Sequence, residues 1–141
     1  MISFLLSIVV SIASFGAVGN NESVNNAEAI NRAIEHCAEQ GGGRVVVPCG
    51  EYYTGSIYLK SGVMLFLEQG AVLKGVQDID AYASLKTTLD LSRYESGQGT
   101  VNYNSATDPQ WSKAMVFAVG VSNAGIEGKG CIDGADVRNP L

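Results

Sequence analysis

Two carboxylates near the middle of the chain have a spacing that acid/base chemistry can use. Asp78 and Asp80 are one residue apart, so on a β-strand their side chains would share one face. Catalytic carboxyls are usually accompanied by charged groups that shift their pKa values. Neither a His nor an Arg lies near this pair, which stands at the entry to a polar segment. We therefore interpret both residues as solvated turn residues.

The other polar candidates have structural interpretations as well. His36 is the only histidine, and it falls on the polar side of a predicted helix, so a solvated role is favoured over a ligand or base. Asp133, in Ile-Asp-Gly, is interpreted as a turn former whose carboxylate caps backbone N–H groups. Glu127 and Lys129 alternate on one predicted strand as an outward pair that contributes little stability.

Aromatic residues in a long polar segment are the candidates for substrate binding. Residues 76–112 are rich in Ser, Thr, Asn and Asp, and they contain Tyr94, Tyr103 and Trp111 besides Tyr82. A flat amphipathic ring can pack on the face of a sugar while its hydroxyl or indole N–H donates a hydrogen bond. We name Tyr94, Tyr103 and Trp111 as substrate-binding candidates. The alternative is that these rings only anchor the segment to the rest of the fold.

The elements that would position these residues are one helix and many short strands. Asn25 and Glu28 have the spacing of a capping box, and Ile30, Ala33, Ile34 and Cys37 recur at helical period, which predicts a helix over residues 26–40. After it the period changes to two, and the predicted strands are residues 44–48, 56–60, 63–67, 71–73, 115–121 and 124–132.

A faint internal repeat indicates how such short strands become stable. Leu73-Lys74-Gly75 follows Leu65 much as Ile132-Asp133-Gly134 follows Ile126. Stacked coils of this kind bury a continuous column of Val, Leu and Ile that no single coil could bury alone. A solenoid also tolerates the excursion at 76–112, because one coil can carry an insertion without disturbing the next.

Composition limits the remaining possibilities. The chain has 141 residues, enough for one domain, and 9 basic against 14 acidic side chains give a net charge of −5. That balance argues against a nucleic-acid partner, and no apolar run reaches the roughly 18 residues of a membrane span. Three cysteines cannot pair completely, so no disulfide framework is implied.

The first residues allow two interpretations. Residues 1–13 are apolar apart from three serines and end in small residues, as a signal peptide does, yet the first basic residue of the chain is Arg32. The alternating apolar residues from Ile8 to Phe15 are equally typical of an opening strand. We divide the chain into this segment, 1–13, and a domain over 14–141 with the insertion at 76–112.

Several motifs, in order, make the chain resemble the N-terminal portion of the polygalacturonase family of glycoside hydrolases. They are Phe15-Gly16-Ala17-Val18-Gly19, Asn25-Asn26-Ala27-Glu28-Ala29-Ile30, Gly41-Gly42-Gly43-Arg44-Val45-Val46-Val47-Pro48, Gly50-Glu51-Tyr52, Thr54-Gly55-Ser56-Ile57-Tyr58-Leu59-Lys60-Ser61, Leu67-Glu68-Gln69-Gly70-Ala71-Val72-Leu73 and Ile132-Asp133-Gly134. The resemblance implies an all-β fold, a right-handed parallel β-helix (a solenoid of the pectin-lyase-like type) with an N-terminal capping α-helix, incomplete at its C-terminus. The early motifs are shared with polysaccharide lyases and phage tail spikes, so they specify fold better than chemistry.

The same resemblance implies hydrolysis of pectin-type polysaccharides, polygalacturonan or rhamnogalacturonan, by inverting acid/base chemistry. The family's catalytic motifs, Asn-x-Asp, Asp-Asp, Gly-His-Gly and Arg-x-Lys, are absent here, so we predict no catalytic residue, cofactor or metal in this chain and an inactive isolated fragment. The alternatives are a Ca²⁺-dependent polysaccharide lyase and a non-enzymatic glycan-binding β-helix. For the full-length protein we expect a monomer, secreted or periplasmic, because polymeric pectin cannot enter a cell.

Overall fold

The fold is built from short strands that stack in parallel. The structure, a computed structural model, describes residues 7–86, 88, 90 and 113–138. The elements in these ranges are β1 (Ile8–Ser11), α1 (Ala27–Glu39), β2 (Gly43–Val47), β3 (Gly50–Thr54), β4 (Ile57–Tyr58), β5 (Val63–Leu67), β6 (Ala71–Gly75), β7 (Val116–Phe117), β8 (Gly125–Gly128) and β9 (Cys131–Asp133), with 3-10 turns at Ile12–Phe15 and Ile79–Ala81.

The strands form three parallel sheets, and successive coils of the chain add their strands to these same sheets. The first sheet has the order β1-β2-β5-β8, the second β3-β6-β9 and the third β4-β7. The chain therefore visits the first, second and third sheets in turn before stacking its next coil on the last, which is the predicted parallel β-helix.

Register places like residues above one another. Val45 lies beside Leu65 in the first sheet, and Leu65 lies beside Ile126. Tyr52, Leu73 and Ile132 form the corresponding ladder of the second sheet. Val45, Leu65 and Leu73 are fully buried, so the inward residues form the continuous apolar column that the repeat predicts.

Helix α1 covers the start of this column. Its buried residues are Ile30, Ala33, Ile34 and Cys37, which confirms the predicted face and, within one residue at each end, the predicted bounds. The predicted capping box is wrong, because Asn26 is the N-cap residue and the Asn25 carboxamide accepts from Ala27 N–H and from Gly55 N–H, each at 3.0 Å.

A glycine run lets the chain leave the helix and enter β2 beside β1. Gly41, Gly42 and Gly43 all have positive φ. A Cβ on Gly43 would collide with the backbone of Ile8, so only glycine permits β1 and β2 to approach here.

Four strand predictions need correction. Gly50–Thr54 is a full strand although its ends carry turn-forming residues, and Gly128-Lys129-Gly130 divides the predicted strand 124–132 into β8 and β9. The strands predicted at 56–60 and 115–121 contain only the two-residue β4 and β7. At the start of the described chain, Ile8–Ser11 pairs with β2, while Ile12–Phe15 turns into a 3-10 helix.

Candidate functional site

A pocket of about 210 Å³ lies between the third sheet and the residues that follow Tyr82. One wall is the outer face of β4 and β7 with the turns after them, and the other wall is residues 83–86. The lining includes Tyr58, Lys60, Ser84, Lys86, Phe117 and Val121.

The third sheet presents aromatic rings to this pocket because its strands are only two residues long. In β4 the side chain of Ile57 is buried, so Tyr58 points the opposite way and is 41% exposed. Parallel register places Tyr58 beside Phe117, and their rings stack with centroids 5.3 Å apart and planes 11° from parallel. Phe117 is itself buried, so it fixes the orientation of the Tyr58 ring that stacks on it from the neighbouring strand.

Helix α1 holds the other edge of β4. The Asn31 carboxamide accepts from the Tyr58 backbone N–H at 2.8 Å and donates to the Ser56 carbonyl at 3.0 Å. These are the two bonds that a neighbouring strand would otherwise make. A side chain of the capping helix therefore fixes the backbone that carries Tyr58.

The second wall is fixed through one buried hydroxyl. Ser56 Oγ accepts from Ala83 N–H at 2.8 Å and donates to the Ala114 carbonyl at 2.7 Å. Ser84 and Lys113 form an antiparallel bridge just beyond these two residues. Both ends of the excursion are thus joined at its base, directly over β4.

At the base of the excursion, Gly55 allows its own backbone and that of Ala81 to approach closely. A Cβ on Gly55 would collide with the carbonyl of Ala81, and Ser56 N–H donates to that same carbonyl at 3.3 Å. The Lys113 ammonium donates to the Ile79 carbonyl at 2.9 Å, which adds a further bond across the base.

The described lining of the pocket carries two positive charges and no negative one. Lys60 and Lys86 line it, and the described residues of its lining include no Asp or Glu. Both lysines are exposed, in a chain whose net charge is −5. An aromatic surface beside two ammonium groups can bind an anionic ring, but the described lining lacks the carboxyl pair that acid/base hydrolysis requires.

The predicted binding residues Tyr94, Tyr103 and Trp111 lie outside the described residues. Tyr82, from the same aromatic set, is buried, and its hydroxyl donates to the Val76 carbonyl at 2.8 Å. Burial, with a smaller effect from the nearby Asp78 carboxylate, raises the pKa of the Tyr82 phenol. For Tyr82 the anchoring interpretation is therefore the correct one.

The polar candidates occupy structural positions. Asp78 accepts from Asp80 N–H at 2.9 Å and caps the 3-10 turn that follows, which agrees with the turn interpretation. Asp133 accepts from Ala135 N–H at 2.8 Å in the same manner. His36 packs against the Phe15 ring, with 5.4 Å between centroids.

The pairing predicted for Glu127 is wrong. Lys129 lies beyond the end of β8, and Glu127 instead pairs with Arg44 at 2.7 Å. The Arg44 guanidinium also lies 4.7 Å from the centroid of the Phe66 ring. This contact joins three neighbouring strands of the first sheet, because β2, β5 and β8 each contribute one residue.

The described ranges contain neither a cluster of metal ligands nor a membrane-spanning helix. Within residues 7–86, 88, 90 and 113–138, no three His, Cys, Asp or Glu side chains are grouped as a metal site would require. In that same part of the chain, no helix is both long and apolar enough to cross a membrane.

Comparison with known proteins gives a consistent set of relatives. No family model matches the chain. An exo-poly-α-D-galacturonosidase from Dickeya chrysanthemi is 35% identical over 139 residues, which covers 94% of this chain and 21% of that protein. A probable polygalacturonase from Vitis vinifera is 35% identical over 79 residues, or 54% of this chain and 16% of that protein.

Solved structures agree with the sequence comparison. A family 28 exopolygalacturonase from Yersinia enterocolitica superposes with a TM-score of 0.65 at 28% identity, covering 89% of this chain and 20% of that one. A hyperthermoactive exopolygalacturonase from Thermotoga maritima gives 0.66 at 29% identity, covering 92% and 26%. The chain thus spans about a sixth to a quarter of these longer proteins, and the resemblance and the partial right-handed β-helix are confirmed.

Proposed function

We propose that this chain, a relative of polygalacturonases in sequence and fold, supplies the first coils of a glycoside hydrolase that cleaves pectin-type polysaccharides. The observation that carries the proposal is 35% identity to an exo-poly-α-D-galacturonosidase across 94% of this chain. The role of the described coils is to start the solenoid and to hold one end of a glycan groove on the third sheet.

The chemistry of the proposal assigns the reacting groups to coils beyond this chain. Inverting hydrolysis needs one carboxylic acid to protonate the leaving oxygen and one carboxylate, about 6.5–9.5 Å away, to activate water. Two described carboxylates that precede the pocket lining in sequence, Asp78 and Asp80, lie in a capped turn. The chain therefore contributes binding and scaffolding to the hydrolysis rather than proton transfer.

Product analysis tests the proposal. The longer protein that contains this chain is incubated with polygalacturonate and with rhamnogalacturonan, each with and without a chelator, and the new chain ends are analysed. Saturated reducing ends that form equally well with the chelator support the hydrolase. Unsaturated ends that the chelator suppresses would identify a lyase instead, and glycan binding without any cleavage would identify a binding protein.

Export to the periplasm or the medium is part of the same proposal. A polymeric substrate stays outside the cell, and the apolar residues at 1–13 have the character of a signal segment. Expression with these residues intact should give exported protein whose new N-terminus lies near Ser14, a cleavage that also removes β1 and the buried Ile12 from the described fold. Intact protein retained in the cytoplasm would contradict export and leave Ile8–Ser11 with a structural role only.

A further inference from the structure

We propose that the pocket on the third sheet is a subsite for one uronate residue of a glycan. In this subsite Tyr58 stacks on the sugar ring, and Lys60 and Lys86 pair with its carboxylate. The identity of the polymer rests on the proposed function, whereas the affinity for an acidic sugar rests on the pocket itself.

The stacking surface is preformed. Tyr58 is 41% exposed, and the buried Phe117 ring on the neighbouring strand stacks parallel to it at 5.3 Å, so Phe117 orients the Tyr58 ring and covers only one of its two faces. Sugar rings present an apolar C–H face that packs on such a surface. The volume of about 210 Å³ is below the roughly 300–1,000 Å³ typical of drug-sized ligands, which fits a single sugar ring.

The charges select an acidic sugar. Two ammonium groups, from Lys60 and Lys86, line a pocket whose described lining has no acidic residue. In a chain of net charge −5, these two ammonium groups provide a local attraction for a carboxylate. A neutral hexose offers the same apolar face without the charge.

The two walls are held in place by side chains that do not touch the ligand. Asn31 fixes the backbone of Tyr58, and Ser56 ties residues 83 and 114 to each other. Walls that are already ordered reduce the entropy cost of binding a small ligand. Asn31 and Ser56 are therefore positioning residues of the subsite.

The test measures binding to the full 141-residue chain by titration calorimetry, with trigalacturonate as the probe and α-1,4-galactotriose as its neutral counterpart. We expect Lys60→Met and Lys86→Met each to weaken trigalacturonate binding about two- to fivefold and to leave galactotriose binding unchanged. Lys129→Met is the matched control, because it removes the same charge in a turn outside the pocket lining. Added salt should weaken the binding of the acidic trisaccharide only.

A second pair of variants tests the stacking role of Tyr58. Tyr58→Phe retains the ring and should bind trigalacturonate like the parent chain, whereas Tyr58→Ala should bind it about fivefold more weakly. The hydrogen bond to Asn31 uses the Tyr58 backbone, so both variants keep it, and circular dichroism checks that both remain folded.

Several results would overturn the subsite. They are no detectable binding of trigalacturonate, equal affinity for the acidic and neutral trisaccharides, or an equal loss in Lys129→Met and in the pocket variants. Hydrolysis of polygalacturonate by the longer protein together with any of these results would reject the subsite and leave the proposed function intact. Lysine-dependent binding by this chain without hydrolysis by the longer protein would reject the proposed function and support the subsite.

Discussion

At the scale of single residues, the buried carboxamide of Asn26 ties three parts of the chain together. Its oxygen accepts from Val18 N–H at 2.8 Å, and its nitrogen donates to the carbonyls of Val18 at 3.1 Å and Tyr53 at 3.0 Å. Asn26 is 1% exposed, so water cannot replace these bonds when they are lost. The entry to α1, the loop before it and β3 therefore depend on one side chain.

Asn26→Ala should lower the free energy of unfolding by about 2–4 kcal/mol, because it removes a buried side chain together with its three part-buried hydrogen bonds to the backbone of Val18 and Tyr53. Asn21→Ala is the matched control, since Asn21 is exposed and its side chain accepts only from Ser23 N–H two residues away, so a loss of at most about 1 kcal/mol is expected. Urea denaturation of both variants measures the difference. Equal midpoints for the two variants would contradict the role assigned to Asn26.

Because the Tyr82 phenol is buried, the stability of the folded chain changes with pH in the alkaline range. Burial first, and the Asp78 carboxylate second, raise the pKa of Tyr82 above its ordinary value of 10.0. The folded state therefore favours the protonated phenol. The resulting contribution to stability is fully present below pH 10.0 and is lost as pH rises through the raised pKa.

Tyr82→Phe should be less stable than the parent chain at neutral pH by about 0.5–1.5 kcal/mol, since it loses the bond to the Val76 carbonyl. Above pH 10 its stability should fall less steeply with pH, because one titrating group has been removed. Urea midpoints measured at a series of pH values give both quantities, with Tyr58→Phe as an exposed-ring control. A slope unchanged in Tyr82→Phe would show that Tyr82 does not contribute to the alkaline loss.

At the scale of elements, the base of the excursion depends on the Ser56 hydroxyl. Ser56→Ala leaves Ala83 N–H and the Ala114 carbonyl without their partner, which costs about 1–3 kcal/mol for buried groups. Because this base is a local structure, we expect amide exchange of Ala83 to accelerate by roughly 5- to 150-fold, while amides of β5 stay protected.

Ser61→Ala provides the control for that experiment. Ser61 also accepts from a backbone N–H, that of Ser122 at 3.0 Å, but this bond is exposed and involves neither residue 83 nor residue 114. Exchange at Ala83 should therefore be the same in Ser61→Ala as in the parent chain. Faster exchange at Ala83 in both variants would contradict a specific role for Ser56.

Local patterns predict α1 and the long strands well, because their signal is contained in consecutive residues. Ile30, Ala33, Ile34 and Cys37 already define the buried face of the helix, and alternation alone identifies β5. The local pattern does not predict strand β3, because Gly50 and Thr54 at its two ends are typical turn residues. Its conformation is imposed by pairing with β6, which no local pattern contains.

The candidate site was much less predictable. Asn31 belongs to no motif, and Ser56 belongs to one that indicates nothing of its hydrogen bonds; their partners lie 25 to 58 residues away in sequence, so only the stacking of coils brings them together. In the sequence, Tyr58 and Lys60 stand out only as members of a strand motif. The predicted binding residues Tyr94, Tyr103 and Trp111 lie outside the described residues and remain predictions. The charge of the pocket arises from Lys60 and Lys86, which are far apart in sequence.

At the scale of the whole molecule, the ends of the apolar columns determine whether the isolated 141-residue chain associates with other copies of itself. Ile126 and Ile132 continue the ladders of Leu65 and Leu73, but they are 43% and 40% exposed, whereas Leu65 and Leu73 are fully buried. Exposed apolar residues on the outermost strands of two sheets favour contact between copies.

Sedimentation of the isolated chain should therefore show concentration-dependent self-association. The double substitution Ile126→Lys and Ile132→Lys should reduce it, because a charged side chain at each position opposes edge-to-edge contact. Val18→Lys adds a charge at an exposed apolar residue outside β8 and β9 and should have little effect. A monomeric parent chain at all concentrations would contradict the prediction.

The isolated chain should also have no glycosidase activity. Hydrolysis needs two carboxyls opposite the scissile bond with their pKa values pushed apart, and the loss of one acid/base member typically lowers the rate by about 10²–10⁴. Asp78 and Asp80 lie in a turn, Asp133 caps another, and Glu127 is paired with Arg44, so none of these groups faces a partner across the pocket. Incubation with polygalacturonate should release no reducing ends above a boiled control. Release that disappears when Asp78 and Asp80 are both replaced by Asn would instead place the reacting groups in this part of the solenoid.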